Sequence, residues 1–238
     1  MTAQIQLGDM LVAVVRKDIK NVHLSVHPPT GRVTIAAPAH MGLDTIRVFA
    51  ITKLAWIRKQ QDKLQQQERE APREFLDRES HYVWGKRYLL KVIEIDQAPA
   101  IELKHSKMLL HVRPDTGQTK CQTIMDEWYR QQLRLAAMPL ITKWEARLGV
   151  KVERVFVQRM KTKWGSCNHH ARTIRLNTDL AKKPLECLEY LVVHELVHIL
   201  EPTHNARFVA LMNQYMPKWS SLQDALNRLP VRHEHWSY

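Results

Sequence analysis

Residues 194–204 read HELVHILEPTH, and the rest of the sequence is interpreted around this stretch. On an α-helix, residues four apart lie on the same face, so His194 and His198 are expected to point at one metal ion. Glu195 follows the first histidine, where its carboxylate is able to deprotonate a water molecule that the metal activates. The spacing therefore predicts a metal centre with a general base beside it.

The third ligand is predicted from the residues that follow this helix. His204 lies six residues beyond His198 and past Pro202, a residue that ends helices, so the chain can turn back with a third nitrogen. Glu201 is the alternative, because it lies closer to the helix face and carboxylates complete some His₂Glu zinc sites. We favour His204 and keep Glu201 as the rival ligand.

The residues before the motif predict a buried helix. Residues 184–193 read PLECLEYLVV, an apolar run that opens with proline, a residue common at the first turn of a helix. The alternative is a helix whose two histidines merely pack in the core or lie on the surface. Two histidines, a glutamate and a spaced third histidine rarely coincide by chance, which favours the metal centre.

Composition bounds the class of protein. The 238 residues suffice for one large domain or two small ones, and 45% hydrophobic with 25% charged residues is typical of soluble globular proteins. No apolar run is long enough to span a membrane, and the N-terminus lacks a secretory signal. The three cysteines are too few for a disulfide framework. We therefore expect reduced thiols, a cytoplasmic location and no membrane partner; the sequence indicates no oligomeric state.

The net charge indicates a polyanionic partner. Lys and Arg number 36 against 24 Asp and Glu, which gives a formal charge of +12. Such an excess favours contact with nucleic acid, and DNA is the candidate partner. Simple solubility of exposed basic side chains is the alternative.

Hydrophobic periodicity predicts an α+β fold. We expect a β-rich N-terminal module over residues 1–118 with one helix inserted at 43–67, then a catalytic domain over 119–230 and a loose tail at 231–238. The second domain is predicted to open with a helix over 121–148, kinked or divided at Pro139, and to continue with a strand meander over 152–177. No internal repeat is evident in the sequence.

Four pieces of the sequence carry a resemblance to the YgjP-like metallopeptidases, relatives of the SprT-like zinc proteases. These pieces are WGSC at 164–167, IRLN at 174–177, HELVH at 194–198, and a third histidine followed four residues later by Phe208. The resemblance extends over about residues 10–230. Asn205 and Val209 depart from the serine and tryptophan that the family often has there.

The resemblance implies a zincin-like catalytic domain, in which an active-site helix follows the strands and a further helix returns the third ligand. It implies Zn²⁺ held by His194, His198 and His204, with Glu195 as the catalytic base. Trp164, Gly165 and Asn177 belong to the matching pieces and are candidate substrate-binding residues, although core packing is the alternative for Trp164.

Some further residues are candidates for the same site. A peptide is expected to add to an exposed strand edge, either the strand 173–177 or the strand before Trp164. Cys167 is expected to be a small buried residue rather than a ligand or nucleophile. Candidate oxyanion donors are Tyr215, His233 and Tyr238, and weaker candidate ligands are His169, His170 and the tail pair His233 and His235.

The sequence thus predicts a zinc-dependent metallopeptidase acting on a peptide or protein substrate, including proteins associated with nucleic acid. Two alternatives stay open. One is a nucleic-acid-binding module with a structural or vestigial metal site, and the other is a zinc hydrolase of a non-peptide amide. The presence of Glu195 favours the enzyme, because a structural metal site has no use for a general base.

Overall fold

The structure, a computed structural model, describes residues 2–27, 30–66, 73–160 and 163–229. The chain divides near residue 70 into two compact units. This division does not coincide with the predicted boundary at residue 118. The physical reason is that the strands after residue 80 bury their apolar side chains in the same core as the C-terminal helices, whereas the first unit has a core of its own. The predicted tail at 231–238 lies outside the described residues.

The first unit contains a four-stranded sheet and two helices. Its strands run in the order β1-β2-β4-β3, with β2 and β4 parallel and the outer pairs antiparallel. The elements are β1 (Thr2–Leu7), β2 (Met10–Lys17), β3 (His23–His27), β4 (Arg32–Pro38), α1 (Leu43–Thr52) and α2 (Leu54–Gln66).

The single helix predicted over 43–67 is two helices, which is a correction to the sequence analysis. The break falls at Lys53, whose N–H bonds the Ala50 carbonyl in a tight turn. One residue earlier, the Thr52 hydroxyl donates to the Phe49 carbonyl at 2.7 Å. A threonine hydroxyl that competes for a backbone carbonyl in this way weakens and bends a helix.

The second unit opens with another four-stranded sheet, which is followed by a long helix. The elements are β5 (Ser80–Val83), β6 (Lys86–Glu94), β7 (Ala100–Lys104), β8 (Lys107–Val112) and α3 (Gln118–Leu148). Pro139 does not divide α3, which runs through it to Gly149, a residue that ends the helix in the left-handed conformation with φ of 66°.

The two four-stranded sheets have the same topology. The second sheet has the order β5-β6-β8-β7, again with its central pair parallel and its outer pairs antiparallel. In both sheets five residues separate the second strand from the third, and a helix follows the fourth strand. The structure therefore contains a repeated supersecondary unit that the sequence did not reveal.

A three-stranded sheet and four helical elements complete the second unit. They are β9 (Arg154–Gln158), β10 (Gly165–Asn168), β11 (Thr173–Asn177), a 3-10 helix (Thr178–Lys182), α4 (Leu185–Leu200), α5 (Ala206–Tyr215) and α6 (Trp219–Arg228). Helix α4 packs against α3, α5, α6 and β10. No helix in the described part of the chain is long and apolar enough to cross a membrane.

The order of the small sheet is β10-β11-β9, which corrects the predicted meander. In a meander β9 and β10 would be neighbours, but β9 pairs with β11 in parallel, so the chain crosses over between them. The strand 173–177, one of the two predicted edges, is central and almost wholly buried. The free edges belong to β9 and β10.

His81 lies in the core of the second unit and is 2% exposed. Burial, with Arg73 nearby, lowers the pKa of His81 to about 4, although the Glu79 carboxylate lies 2.8 Å from its ring. The neutral ring is therefore the form that the folded state keeps. In the unfolded chain a histidine titrates near ~6.5.

We expect the free energy of unfolding to fall by roughly 2–3 kcal/mol, through this group, as pH drops from about 6.5 to 4, because only the unfolded state takes up the proton. Urea unfolding at a series of pH values measures this. In the variant His81→Gln, which keeps a hydrogen-bonding amide, the free energy of unfolding should depend less on pH over this range. In the surface variant His170→Gln the pH dependence should match that of wild type. Parallel curves for wild type and His81→Gln would contradict the assignment.

Candidate metal centre and active site

Helix α4, which carries the HELVH motif, is buried because its sequence is apolar around most of its circumference. Nine of its residues are buried, including Glu195, while His194 and His198 lie on a less buried face. The helix starts after Pro184 and ends at Leu200, before Pro202. The chain then turns and returns His204 to the same place.

The three histidines converge. One nitrogen from each of His194, His198 and His204 forms a group whose members all lie within 4.8 Å of one another. The Nε2 atoms of His194 and His204 are 3.1 Å apart. Three imidazole nitrogens at this spacing form a set that can hold a metal ion.

The rings of His194 and His198 are held in the neutral form that metal ligation requires. Burial, together with the neighbouring His198 and His204, lowers the pKa of His194 to about 3. Burial also lowers the pKa of His198. At neutral pH both rings therefore carry a nitrogen lone pair for a cation.

Hydrogen bonds orient two of the rings. The Nδ1 atom of His198 lies 3.1 Å from the Glu201 carbonyl oxygen, which only accepts, so Nδ1 carries the proton and Nε2 keeps the lone pair. The Tyr190 hydroxyl lies 3.5 Å from Nδ1 of His194, one helical turn away, and directs Nε2 of that ring toward the other histidines.

Phe208 on α5 supports all three rings. Its ring centroid lies 4.7–5.0 Å from those of His194, His198 and His204, and the side chain is 1% exposed. Helix α5 is anchored by Asn205, whose side chain accepts from the Phe208 N–H at 3.0 Å. Asn205 thus serves as the helix cap, a role that asparagine fills as well as serine.

Glu201, the rival third ligand, lies in the turn between α4 and α5. Its carboxylate accepts from the Thr203 hydroxyl at 3.0 Å, and its backbone carbonyl accepts from His198. The described residues that group as potential metal ligands are the three histidines, without Glu201. The geometry therefore favours His204.

Glu195 is 4% exposed and lies against the start of β10. Burial raises the pKa of Glu195 to about 8 in the metal-free chain, partly offset by the positive charge of Lys163. A carboxylate with a raised pKa is suited to take up and release a proton near neutral pH, and a nearby cation would lower the pKa again.

Gly165 makes this arrangement sterically feasible. A Cβ atom at residue 165 would lie 2.7 Å from Oε1 of Glu195 and 3.1 Å from the Leu191 side chain. The sheet therefore approaches the Glu195 carboxylate through a residue without a side chain.

A cavity of about 400 Å³ opens over these groups. Trp164 and Gly165, two of the predicted substrate-binding residues, line it together with Lys163, and α6 contributes to its wall. The remaining lining residues are Ser166, Cys167, His169, Tyr190, Leu191, His194, Glu195, His198, Pro202, His204, Gln223, Leu226 and Asn227.

Asn177, the third predicted substrate contact, does not line this cavity. It is 5% exposed, and its amide donates to the carbonyls of Met160 and Lys163, each at 2.9 Å. Its backbone N–H bonds the Trp164 carbonyl. Asn177 thus anchors both ends of the crossing segment that leads into β10.

The other candidates fall into different places. Burial and the Glu195 charge raise the pKa of the half-buried Cys167 thiol to about 11, so it stays protonated and is a poor nucleophile. His169 lines the cavity, whereas the exposed His170 does not; its ring contacts the His169 ring at a tilt of 41°. Tyr215 does not line the cavity. The candidates His233, His235 and Tyr238 lie outside the described residues.

Sequence reasoning missed Tyr190, Gln223 and Asn227. Tyr190 lies four residues before His194, so helical spacing could have placed it on the ligand face. Gln223 and Asn227 come from α6 and reach the cavity only through tertiary packing. No sequence signal pointed to them.

Comparison with known proteins identifies a family for most of the chain. The family described as YgjP-like, metallopeptidase domain, matches residues 20–229. No curated protein matches the chain.

Two solved structures are similar over a smaller part. The metallopeptidase zymogen of Pyrococcus abyssi abylysin has 20% identity and a TM-score of 0.36, and covers 38% of this chain and 90% of its own. That of Methanocaldococcus jannaschii jannalysin has 21% identity and a TM-score of 0.35, and covers 38% of this chain and 86% of its own.

The α+β fold and a histidine cluster beside a buried glutamate define a zincin-like metallopeptidase, and such an enzyme requires a divalent metal ion. The chain belongs to the YgjP-like metallopeptidase family.

The variant Gly165→Ala should reduce kcat by roughly 100-fold, because its Cβ displaces the Glu195 carboxylate from its position. Metal content should change little, because none of the three histidines is among the nearest neighbours of the added Cβ atom. The matched control is Gly117→Ala, where a Cβ atom meets no neighbour within 4 Å. Equal activity of the two variants would show that the close approach is unimportant.

The variant His204→Ala should weaken zinc binding by more than about 100-fold, since loss of a direct ligand exceeds the effect of losing a hydrogen bond to one. Glu201→Gln keeps the size of the side chain and should bind zinc as wild type does. Competition with a chromophoric chelator measures both affinities. The opposite order of effects would make Glu201 the third ligand.

Proposed function

We propose that this chain is a zinc-dependent peptidase in which Glu195 is the general base and His194, His198 and His204 hold the metal. The observation that carries the proposal is the convergence of three histidine nitrogens beside a buried carboxylate at an open cavity. A purely structural metal site has no need of either the carboxylate or the cavity.

Zinc fits the donor set. Neutral imidazole nitrogens are preferred zinc ligands, and three of them leave a position for water or substrate on a tetrahedral ion. When bound, zinc would polarise the scissile carbonyl and acidify a water molecule. Phe208 and the hydrogen bond from His198 to Glu201 hold the rings in place for this purpose.

Glu195 performs the proton transfers. Its carboxylate takes a proton from the attacking water and returns that proton to the leaving amine as the peptide bond breaks. Because the side chain is held between α4 and Gly165, it is positioned before substrate arrives. Tyr190, which touches His194, is a positioning residue rather than a reacting group.

The free edge of β10 is the proposed binding site for the substrate backbone. β10 is an outer strand of its sheet, and its residues Gly165, Ser166 and Cys167 line the cavity. An extended peptide that pairs with this edge gains backbone hydrogen bonds and lies next to Glu195. Trp164 and Lys163 then flank the bound segment.

Proteins associated with nucleic acid are the proposed substrates, a choice supported by the charge of +12. We also propose a cytoplasmic location, supported by the free thiols of Cys121, Cys167 and Cys187. A non-peptide amide is the alternative substrate, and the experiment that follows separates it from a peptide.

The variant Glu195→Gln should bind zinc as tightly as wild type and lose at least about 100-fold in kcat for cleavage of an unfolded protein. Mass spectrometry identifies the cleaved bonds, and metal analysis reports zinc. Cys187→Ser is the control, since Cys187 lies on the same helix but does not line the cavity. Undiminished cleavage by Glu195→Gln would refute the assigned base. Cleavage of small non-peptide amides without cleavage of any polypeptide would favour the alternative substrate.

A further inference from the structure

The sheet that borders the cavity has a one-sided charge distribution. Residues 154–178 contain six basic residues and no Asp or Glu, although the whole chain has 24 acidic residues. The six are Arg154, Arg159, Lys161, Lys163, Arg172 and Arg175. A segment with one sign of charge creates a potential that attracts polyanions.

The strand register places some of these groups on one outer face. Phe156 on β9 and Ser166 on β10 are both paired with Arg175 on the central strand β11, so the three form a row across the sheet. Arg154 lies two residues before Phe156 and therefore on the same face. We call Arg154, Phe156, Ser166 and Arg175 the basic face. The opposite face packs into the core through Val155, Val157, Ile174 and Leu176.

The basic face presents an exposed aromatic ring. Phe156 is 39% exposed, and the guanidinium of Arg175 lies 5.3 Å from its ring centroid. An aromatic ring with an arginine plane over it is a surface on which a nucleobase stacks. Arg154 lies beside this pair, where it is able to contact the phosphate backbone.

We propose that the basic face binds single-stranded nucleic acid, with a base stacked on the Phe156–Arg175 pair and a phosphate held by Arg154. The bases of a duplex are stacked on one another, so a single strand fits this surface better. Ser166 belongs both to the basic face and to the cavity wall, so the strand would lie beside the cavity mouth. Binding itself does not require cleavage, but its use in selecting substrates rests on the proposed function.

An acidic peptide is the competing occupant. Carboxylates would pair with the arginines but would make no use of an exposed phenylalanine, whereas a base stacks on it. Replacement of Phe156 therefore distinguishes a single-stranded nucleic acid from an acidic peptide.

The experiment measures fluorescence anisotropy of a labelled oligothymidylate with the zinc-loaded Glu195→Gln chain over a range of salt concentrations. Phe156→Ala should weaken binding by about fivefold to a hundredfold, as expected when one base is no longer stacked. Arg154→Glu should lower the affinity. It should also make the plot of log affinity against log salt concentration less steep, by about 0.7 for each phosphate that the protein no longer neutralises.

The matched controls lie on another lysine-rich surface of the same unit. Lys91 lines a separate cavity of about 450 Å³ with Lys104, Lys107 and His105, and no Phe, Tyr or Trp lines it. Lys91→Glu should leave affinity unchanged, and Leu103→Ala, a similarly exposed apolar residue on β7, should do the same.

Four results would overturn the proposal. They are absence of binding at low salt, unchanged affinity in Phe156→Ala, equal weakening by Lys91→Glu, and equal competition by polyglutamate or by duplex DNA. The proposed peptidase function and the proposed nucleic-acid binding are tested separately. For the first, peptide cleavage is assayed without nucleic acid in the Phe156→Ala chain that keeps Glu195. Oligonucleotide binding without any peptidase activity would refute the proposed function alone, and peptidase activity without binding would refute the basic face alone.

Discussion

The close approach of β10 to α4 is the constraint on which the site depends. Glu195 is buried beside the histidines, and the first residue of β10 lies so near its carboxylate that only glycine fits without displacing it. This contact fixes the position of the Glu195 carboxylate and the place of the β10 edge along the cavity. Burial of the same carboxylate raises the pKa of Glu195. A longer side chain at residue 165 would move the Glu195 carboxylate or the strand.

The same constraint explains why the crossing segment is tied down. Because β9 pairs with β11 and β10 lies on the other side of β11, the chain must cross over before it enters β10. A loosely held crossing would let Gly165 shift. Asn177 prevents this, since its side chain and backbone bond the carbonyls of Met160, Lys163 and Trp164. The buried Asn177 amide thus holds the entry of β10, the strand that contacts the Glu195 carboxylate.

The three candidate metal ligands depend on a second set of contacts. Phe208 packs against all three imidazoles, and the Glu201 carbonyl and Tyr190 hydroxyl bind the Nδ1 atoms of His198 and His194. Burial keeps these two rings neutral at neutral pH. Rings that are neutral and oriented before a metal arrives need little rearrangement to bind it, so less of the binding free energy is lost to ordering.

Local signals in the sequence were enough to locate most of the elements. The helix with His194, Glu195 and His198 follows from apolar spacing and Pro184, the long α3 ends at Gly149, and strand signals located most of the strands. Tertiary packing alone determined the pairing of β9 with β11 and the shared topology of the two four-stranded sheets. It also determined the division of the chain near residue 70 and the position of Gln223 in the cavity wall. Local patterns report which face of an element is apolar, but these features depend on which distant faces bury one another, and that choice is made by packing of the whole chain.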